Sequence, residues 1–349
     1  MDFSLLHELC NSHAVSGREE GIRGLVEREL KAVGCKVSLD ALGNIIGFRK
    51  GNGKRKVMLA GHMDEIGFIV THIDSNGFLR FQPRGGFDPR TMMSQRVYVH
   101  TATKRLLGVM GTKPVHVLTE EEKKKTLQIT DYFIDLGLPE KQVKKLVEIG
   151  DPITMSRELE EVGDCFTGKS IDNRYGVWVM IEALRKLKKH DVDIYAVATV
   201  QEEVGIRGAI AASFDIKPDV GIALDVTVAC DTPGADPKDY VTKLGEGACI
   251  KIQDGATISN PKIVKELKKI AEQKKIKHQM EILPRGGTDA AGMRQVSGHT
   301  AVAGISLALR YMHSTVETVN KKDLEACVNL LAAYLSTTKG SGYELGTKI

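Results

Sequence analysis

The chain has 349 residues, of which 42% are hydrophobic and 27% charged, a balance typical of a globular protein and unlike that of a disordered chain, a collagen or a coiled-coil rod. Its net charge of +4 is spread along the sequence without a basic stripe interleaved with aromatics, so we expect no nucleic-acid partner. The apolar runs are too short to span a bilayer, the N-terminus does not resemble a signal segment, and no two of the six cysteines form a Cys-x-x-Cys pair. We therefore expect a cytoplasmic protein of about two domains, with reduced cysteines and no membrane partner.

The N-terminal part of the chain has the features of an α/β domain. Ser16 and Glu19 have the spacing of a capping box and predict the start of a helix. Residues 35–49 then alternate like a pair of strands, and Val57–Ala60 is a continuous apolar run that leads to His62. Such a run is typical of a strand that is buried on both faces of a sheet.

Residues 67–163 depart from this pattern, because they contain short β-like runs separated by Gly, Asp and Pro. A helix is predicted near Glu140–Glu148, but the segment lacks the long apolar helices of an α/β domain. We therefore predict that residues 67–163 form a small β-rich domain inserted into a larger one. They contain none of the candidate metal ligands described below.

The α/β pattern resumes at residue 164 and continues to residue 349. Further buried strands are predicted at Ile194–Val200, Val220–Leu224, Gln279–Leu283 and Ala301–Ile305. Asn260 and Pro261 predict a helix start, as the N-cap and the first helical residue. Alternating strands and helices indicate an α/β fold with a mostly parallel, doubly wound sheet, so residues 1–66 and 164–349 are predicted to form one discontinuous catalytic domain.

Five side chains that can bind metal ions lie at predicted strand ends or at a predicted helix start. They are His62, Asp172, Glu203, Asp225 and His313. Because parallel strands place their carboxyl ends at one edge of a sheet, we expect these side chains to converge. Two histidines and three carboxylates suit a pair of divalent ions, with zinc and cobalt as the leading candidates and manganese as a third. Dividing the ligands evenly makes Asp172 a bridge, with His62 and Asp225 on one ion and Glu203 and His313 on the other.

Two further carboxylates extend this predicted site. Glu202 precedes Glu203 and points away from it in an extended chain, so it is free to act as a general base on a metal-bound water. Asp64 lies two residues after His62 and can orient the imidazole through a hydrogen bond. Each residue alone also fits a structural role, such as a packed histidine, an N-cap or a solvated surface pair, but their shared placement favours the metal site.

Gly286, Gly287, Thr288 and Asp289 follow a predicted strand and precede a predicted helix. A turn with Thr288 or Asp289 as the N-cap accounts for this segment structurally, and the two glycines also allow the backbone to approach a substrate closely. The turn and a close approach to substrate are compatible, and the segment is a candidate for both.

Six motifs occur together in chain order. They are Gly61-His62-Met63-Asp64-Glu65-Ile66-Gly67, Ile171-Asp172-Asn173-Arg174, Gln201-Glu202-Glu203-Val204-Gly205, Ala223-Leu224-Asp225-Val226, Gly286-Gly287-Thr288-Asp289-Ala290 and Arg310-Tyr311-Met312-His313-Ser314. In these motifs the chain resembles the M42 family of dinuclear metalloaminopeptidases, the tetrahedral (TET) aminopeptidase group. The resemblance implies an enzyme that removes N-terminal residues from short peptides, with its ligands, base and orienting residue at the positions given above. It also implies that Gly286, Gly287, Thr288 and Asp289 line the substrate-binding cleft.

The same resemblance implies a PDZ-like inserted domain that forms dimers, and a hollow tetrahedral dodecamer that is built from these dimers with its active sites facing inward. Relatives often have a proline where this chain has Thr300, at the end of Gly298-His299-Thr300, and another where it has Ala308. Neither departure involves a predicted ligand, but because of them the preferred N-terminal residue of the substrate does not follow from the resemblance. The native metal is likewise not determined by the sequence.

Three other functions stay open from the residues alone. A deacylase, amidohydrolase or carboxypeptidase of the same fold would use the same metals, but would need a cation to hold a substrate carboxylate. A glycoside hydrolase would use the paired carboxylates, although the histidines would then have no role. A non-enzymatic assembly protein would hold the metals structurally and would not need open coordination positions.

Overall fold

An eight-stranded sheet and a closed six-stranded barrel contain most of the strands in residues 1–346, the part of the chain that the computed structural model describes. Residues 347–349, the end of the predicted second catalytic segment, lie outside this part. The strands are β1 (Lys36–Leu39), β2 (Ile45–Arg49), β3 (Lys56–His62), β4 (Gly67–Ile73), β5 (Leu79–Arg84), β6 (Arg96–His100), β7 (Arg105–Gly111), β8 (Phe133–Asp135), β9 (Pro152–Met155), β10 (Glu160–Val162), β11 (Cys165–Gly168), β12 (Asp193–Thr199), β13 (Val220–Val228), β14 (Ala248–Gln253), β15 (His278–Ile282), β16 (Ala301–Leu309) and β17 (Glu317–Asn320). The α-helices are α1 (Ser4–Asn11), α2 (Glu20–Ala32), α3 (Pro89–Met92), α4 (Glu120–Lys123), α5 (Glu140–Leu146), α6 (Ile171–Lys186), α7 (Arg207–Ile216), α8 (Pro261–Gln273), α9 (Asp289–Val296) and α10 (Lys321–Thr337).

The large sheet has the strand order β1-β2-β12-β3-β13-β16-β14-β15. Its four central strands β12, β3, β13 and β16 run parallel, and β14 is parallel to β15. The pairs β1–β2, β2–β12 and β14–β16 are antiparallel. The α/β fold is therefore present with a parallel centre, but the sheet is mixed rather than mostly parallel. At one edge the cause is local, because the short turn between β1 and β2 forms a hairpin.

Helices cover both faces of this sheet, as the alternation of side chains along β3 shows. Val57 and Leu59 belong to the larger core, which also contains apolar residues of α2, α6 and α10. Met58 and Ala60 point to the opposite face and pack with residues of α7 and α9. Both sets are fully buried, as expected for the continuous apolar run that identified this strand in the sequence.

The barrel is formed by residues between Gly67 and Met155, with the closed strand order β4-β5-β8-β7-β6-β9. All neighbouring strands are antiparallel, and the barrel has a separate apolar core that includes Phe68, Ile134 and Ile153. The next strand, β10, pairs instead with β11, which pairs with β17. The fold of the insertion is thus a closed barrel. Its PDZ-like character and the domain boundaries at residues 67 and 163 stay predictions.

The predicted capping box at the first long helix is wrong. Helix α2 begins at Glu20 and has no side-chain cap. Ser16 Oγ instead donates a hydrogen bond to Asp64 Oδ2 at 2.5 Å. Glu19 Oε1 accepts hydrogen bonds from the backbone N–H groups of Gly17 at 2.6 Å and Gln201 at 3.2 Å. Contacts outside the helix therefore use the side chains that would have capped it.

Among the residues described, no helix combines the length and the apolar composition needed to cross a bilayer. All six cysteines are free thiols, and four of them are buried. The cysteines thus behave as the sequence predicts, as small packed side chains without disulfides.

Candidate metal centre

The first of two candidate ligand groups is centred on His62, at the carboxyl end of β3. His62 Nε2 lies 3.2 Å from Asp172 Oδ1 and 3.9 Å from Asp225 Oδ1. The potential ligand atoms of these three residues all lie within 4.8 Å of one another, and all three residues are buried. They form a compact nitrogen–oxygen donor set that one ion could fill.

The second group is formed by His313, Glu203 and Asp172. His313 Nε2 lies 3.4 Å from Asp172 Oδ2 and 3.6 Å from Glu203 Oε1. Asp172 therefore faces one histidine with each of its two carboxylate oxygens, and it is the residue that the two groups share. This is the arrangement of a carboxylate that bridges two ions.

The backbone around these residues is irregular where the side chains must turn inward. Asp172 lies in the first turn of α6, where its φ of −74° and ψ of 105° are not helical. His313 follows β16 in a loop and has a φ of 59°. Asp225 lies within β13 rather than after its end, because this strand continues to Val228. The sequence-based expectation that Asp225 ends its strand is therefore wrong, although the residue does reach the group.

Asp64 connects the two predicted glutamates to His62. Its Oδ1 atom lies 3.4 Å from His62 Nδ1, and its backbone oxygen lies 3.2 Å from the same nitrogen. The Asp64 carboxylate also accepts hydrogen bonds from the backbone N–H groups of Glu202 at 3.1 Å and Glu203 at 3.2 Å. One buried carboxylate thus fixes both the imidazole and the loop that follows β12.

Glu202 belongs to neither ligand group. Its Oε2 atom lies 3.8 Å from His62 Nε2, so the carboxylate is beside the site. Burial and the nearby carboxylate of Asp225 raise the pKa of Glu202 well above its usual range. Burial likewise raises the pKa of Asp225, and that of Glu203 to about 7, with the Asp172 carboxylate adding to both effects. The cluster thus holds more negative charge than the protein alone compensates.

The pKa values of the two histidines also reflect the excess of negative charge in the cluster. Burial alone would lower the pKa values of His62 and His313, but hydrogen bonds to Asp172 and the charges of other nearby carboxylates together outweigh it and raise both, to about 10 for His313. The carboxylates of the cluster therefore favour positive charge on both imidazoles. Two divalent cations would supply that charge instead, so the donor set fits a dinuclear centre.

Sequence reasoning missed Glu317, a buried residue of β17. Its Oε2 atom accepts a hydrogen bond from the backbone N–H of Asp172 at 3.1 Å, and its Oε1 atom accepts one from the backbone N–H of His313 at 3.0 Å. It therefore ties together the two loops that carry the second group. Its position four residues after His313 in a short polar strand gives no distinctive signal in the sequence.

The Gly286–Asp289 segment forms the predicted turn before α9. Thr288 is the N-cap, and its side chain accepts a hydrogen bond from the backbone N–H of Ala290. The buried carboxylate of Asp289 accepts a hydrogen bond from Thr199 Oγ1 at 2.5 Å through Oδ2, while Oδ1 has no partner among the residues described. Burial raises the pKa of Asp289 to about 6.

The pocket beside the second group is lined partly by the barrel. Its walls include Phe87, Thr91 and Met155, together with Asp172 and His313, whereas the Gly286–Asp289 segment does not line it. The insertion therefore contributes to the surroundings of the candidate ligands.

The barrel also approaches the ligands at two glycines. A Cβ atom on Gly86 would lie 3.3 Å from His313 Nδ1, and one on Gly85 would lie 3.2 Å from Glu203 Oε2. The Gly85 backbone has a φ of 91°, which side-chain-bearing residues rarely adopt. This barrel loop thus rests directly against the second ligand group.

The chain is similar to several known aminopeptidases. The family model described as M42 glutamyl aminopeptidase matches residues 43–330. The lysyl aminopeptidase of Pyrococcus furiosus is 38% identical over 347 residues, which cover 97% of this chain and 98% of that protein. An aminopeptidase structure from the archaeon Desulfurococcus kamchatkensis has a TM-score of 0.92 and 41% identity, and the match covers 96% of this chain and 94% of that one. A TET peptidase of Pyrococcus horikoshii, which can assemble into a tetrahedron or a large octahedral shell, has a TM-score of 0.86 and 31% identity, with 95% and 98% covered.

Proposed function

The chain belongs to the M42 peptidase family and is an aminopeptidase, and from this premise we propose that it uses two divalent ions to remove N-terminal residues from short peptides. The observation that carries the proposal is the position of Asp172 between two groups, with one oxygen toward each histidine. One ion would be held by His62, Asp172 and Asp225, and the other by Asp172, Glu203 and His313. Zinc and cobalt suit this donor set best, and manganese is a third candidate.

The bound ions would supply positive charge that polarises the scissile carbonyl and lowers the pKa of a water molecule. Glu202 would take the proton from that water and pass it to the leaving amine, since its carboxylate lies 3.8 Å from His62 Nε2 and belongs to neither ligand group. Asp64 acts as a positioning residue, because it contacts His62 and also accepts hydrogen bonds from the loop that carries Glu202.

We assign Gly286, Gly287, Thr288 and Asp289 to the substrate-binding cleft. The support is the unpartnered Oδ1 atom of Asp289, a buried acceptor close enough to Glu202 for its charge to influence that residue. The free ammonium of a peptide is a group that such acidic side chains would bind, and an aminopeptidase must recognise it.

We further propose that barrel-mediated dimers build a tetrahedral dodecamer in the cytoplasm. The assembly of the TET peptidase of Pyrococcus horikoshii supports the tetrahedron. The outer surface of the barrel supports its role in dimer formation, because Leu107 and Val109 of β7 are about half exposed and Val115 and Val117 lie close to them in the chain. The free cysteines suit a reducing compartment.

The decisive experiment compares peptides with a free N-terminus with their N-acetylated forms, before and after removal of metal by a chelator. We expect hydrolysis of the free peptides only, loss of activity after chelation, and recovery with zinc, cobalt or manganese. A panel of aminoacyl chromogenic substrates then identifies the preferred N-terminal residue. Preferential cleavage of the acetylated peptides would instead favour a deacylase, and activity that survives complete metal removal would contradict the dinuclear mechanism.

A further inference from the structure

A second cleft, with a volume of about 310 Å³, lies between the barrel and the large sheet domain. We call it the basic cleft and define it by His13, Arg96, His100, Arg105, Arg157 and Lys169. Strands β6 and β7 supply three of these residues, and the segments after α1 and β11 supply His13 and Lys169. None of the six is a candidate metal ligand, but the basic cleft adjoins the pocket beside the second ligand group, because Met155 and Lys169 line both.

Two arginines of the basic cleft have no carboxylate partner among the residues described. Neither Arg96 nor Arg105 forms an ion pair, and the Arg105 guanidinium instead lies over the Tyr98 ring, 4.0 Å from its centroid. The carboxylates on the wall are Glu158 and Glu160, and Glu160 already lies 3.5 Å from Arg157. Lys169 is likewise paired, since its Nζ atom donates to Glu65 Oε2 at 2.6 Å. The cleft therefore has an excess of uncompensated positive charge.

A pair of stacked histidines crosses the boundary between the two domains. The rings of His13 and His100 have centroids 4.2 Å apart and planes inclined by 13°. His100 Nε2 lies 2.8 Å from Thr154 Oγ1, whereas the His13 ring has no hydrogen-bond partner among the residues described. A Cβ atom on Gly21 would lie 2.6 Å from His13 Nε2, so α2 holds this ring from behind. The pair is therefore packed between α2 and the barrel, and the His13 ring has unused hydrogen-bonding capacity.

The surroundings of the two rings oppose protonation. The charged side chains that face them are Glu65, Lys169, Arg174 and Arg105, of which three are cationic. Burial lowers the pKa of His13, and burial together with its neighbour lowers that of His100 to about 4. At neutral pH both imidazoles are therefore uncharged. A negative ligand beside them would reverse this effect and would favour proton uptake.

We propose that the basic cleft binds an oxyanion, which is held by Arg96, Arg105 and the His13–His100 pair. Guanidinium groups match the oxygen spacing of carboxylates and phosphates and form strong charge-assisted hydrogen bonds with them. The ligand chemistry is shared by inorganic phosphate and by a carboxylate at the end or on a side chain of a peptide. Recognition of either does not require peptide hydrolysis, so the proposal can be tested separately from the enzyme's activity.

The test is isothermal titration calorimetry of the intact assembled protein with inorganic phosphate at neutral pH. Arg105→Gln and Arg96→Gln should each weaken binding roughly 10-fold or more, the scale of a lost charge-assisted hydrogen bond. The matched control is Lys104→Gln, which removes the same charge from the exposed neighbour of Arg105, outside the cleft wall. It should change affinity by less than about 2-fold, as a surface charge screened by solvent does.

Further titrations distinguish the source of the anion. N-acetyl-triglycine, which has no free amine, and its C-terminal amide differ only in the carboxylate. Binding of the acid but not the amide identifies a peptide carboxylate as a ligand, and binding of phosphate alone identifies a free anion. Proton uptake on binding, measured in buffers of different ionisation enthalpy, should be lost in His100→Gln.

Three results would overturn the proposal. If Lys104→Gln and Arg105→Gln weakened phosphate binding equally, the protein would attract anions by its general charge rather than at a specific site. Unchanged phosphate binding in both arginine variants would place the anion elsewhere, such as at the metal centre. Absence of binding by phosphate and by both peptides at millimolar concentration would exclude an oxyanion site.

Discussion

Glu317 Oε2 accepts a hydrogen bond from the backbone N–H of Asp172 at 3.1 Å, across 145 positions of the chain. The same carboxylate holds the backbone N–H of His313, so one buried side chain fixes two proposed ligands of one ion. Such outer contacts orient ligands and commonly change metal affinity by about 10–100-fold.

We therefore expect Glu317→Ala to weaken metal binding by about 10–100-fold, because the loops of Asp172 and His313 lose their common acceptor. Glu317→Gln, which keeps one amide oxygen as an acceptor, should lie between the wild type and the alanine variant. Competition with a chromophoric chelator measures the affinity, and circular dichroism establishes that each variant is folded. Full metal affinity in a folded Glu317→Ala protein would exclude the positioning role.

Glu202→Gln should retain both ions, because the residue belongs to neither ligand group, but should lower kcat by roughly 100-fold or more through loss of the general base. Steady-state kinetics on metal-replete protein measures the effect, and elemental analysis of the same sample supplies the control. Near-normal turnover with two bound ions would remove Glu202 from the mechanism.

Asp172→Ala should reduce the metal content at both positions, whereas His62→Ala should reduce it mainly at one. The difference follows from the two oxygens of Asp172, which face separate histidines. Elemental analysis after dialysis measures the number of ions per subunit. Two full equivalents in Asp172→Ala would contradict the bridging assignment.

His100 should make the protein less stable as the pH falls. Its pKa in the folded state is lowered from 6.5 to about 4, so the unfolded chain binds a proton that the folded chain does not. The contribution of the uncharged His100 to the free energy of unfolding is therefore retained above pH 6.5. It is progressively lost as the pH falls from 6.5 to about 4. Thermal unfolding of His100→Gln across this range should depend less on pH than that of the wild type. His116→Gln, which changes an exposed barrel histidine, is the control and should match the wild type.

The double variant Leu107→Lys and Val109→Lys should dissociate the assembly without loss of metal, because it places charges on the exposed apolar face of β7. Light scattering measures the particle mass. Val162→Lys, a similarly exposed position outside the barrel, is the matched control and should remain assembled. A fully assembled double variant would exclude this face from the dimer contact.

The sequence was informative where a residue's role follows from its own strand. The apolar run Val57–Ala60 predicts a buried strand. His62 at the end of this strand lies at the sheet edge where the carboxyl ends of parallel strands meet and where such sheets place their sites. The same logic located the loop of Glu202 and Glu203 after β12. The alternation of strands and helices indicated the α/β class. The apolar residues that identify each strand and helix in the sequence are the same ones that must pack between the helices and the sheet.

The sequence was uninformative where a role depends on distant partners. Glu317 gains its function only through Asp172 and His313, and nothing near it in the chain indicates those contacts. Ser16 has the local spacing of a helix cap, yet its hydroxyl donates to Asp64. A buried carboxylate without a donor is costly, whereas the N–H groups at an exposed helix end can donate to water. The antiparallel pairing of β14 with β16 likewise depends on the tertiary fold rather than on local residues.

The contact of Gly85 and Gly86 with the second ligand group has a consequence for engineering and for divergence of the enzyme. The barrel is not an exchangeable module, although it has its own core and closed hydrogen bonding. A graft that reproduced its outer surface, but placed any side chain at Gly86, would press on His313 and would alter the metal centre from a distance in the sequence. Variation of the insertion is therefore restricted at this loop, even when the outer surface of the barrel is kept.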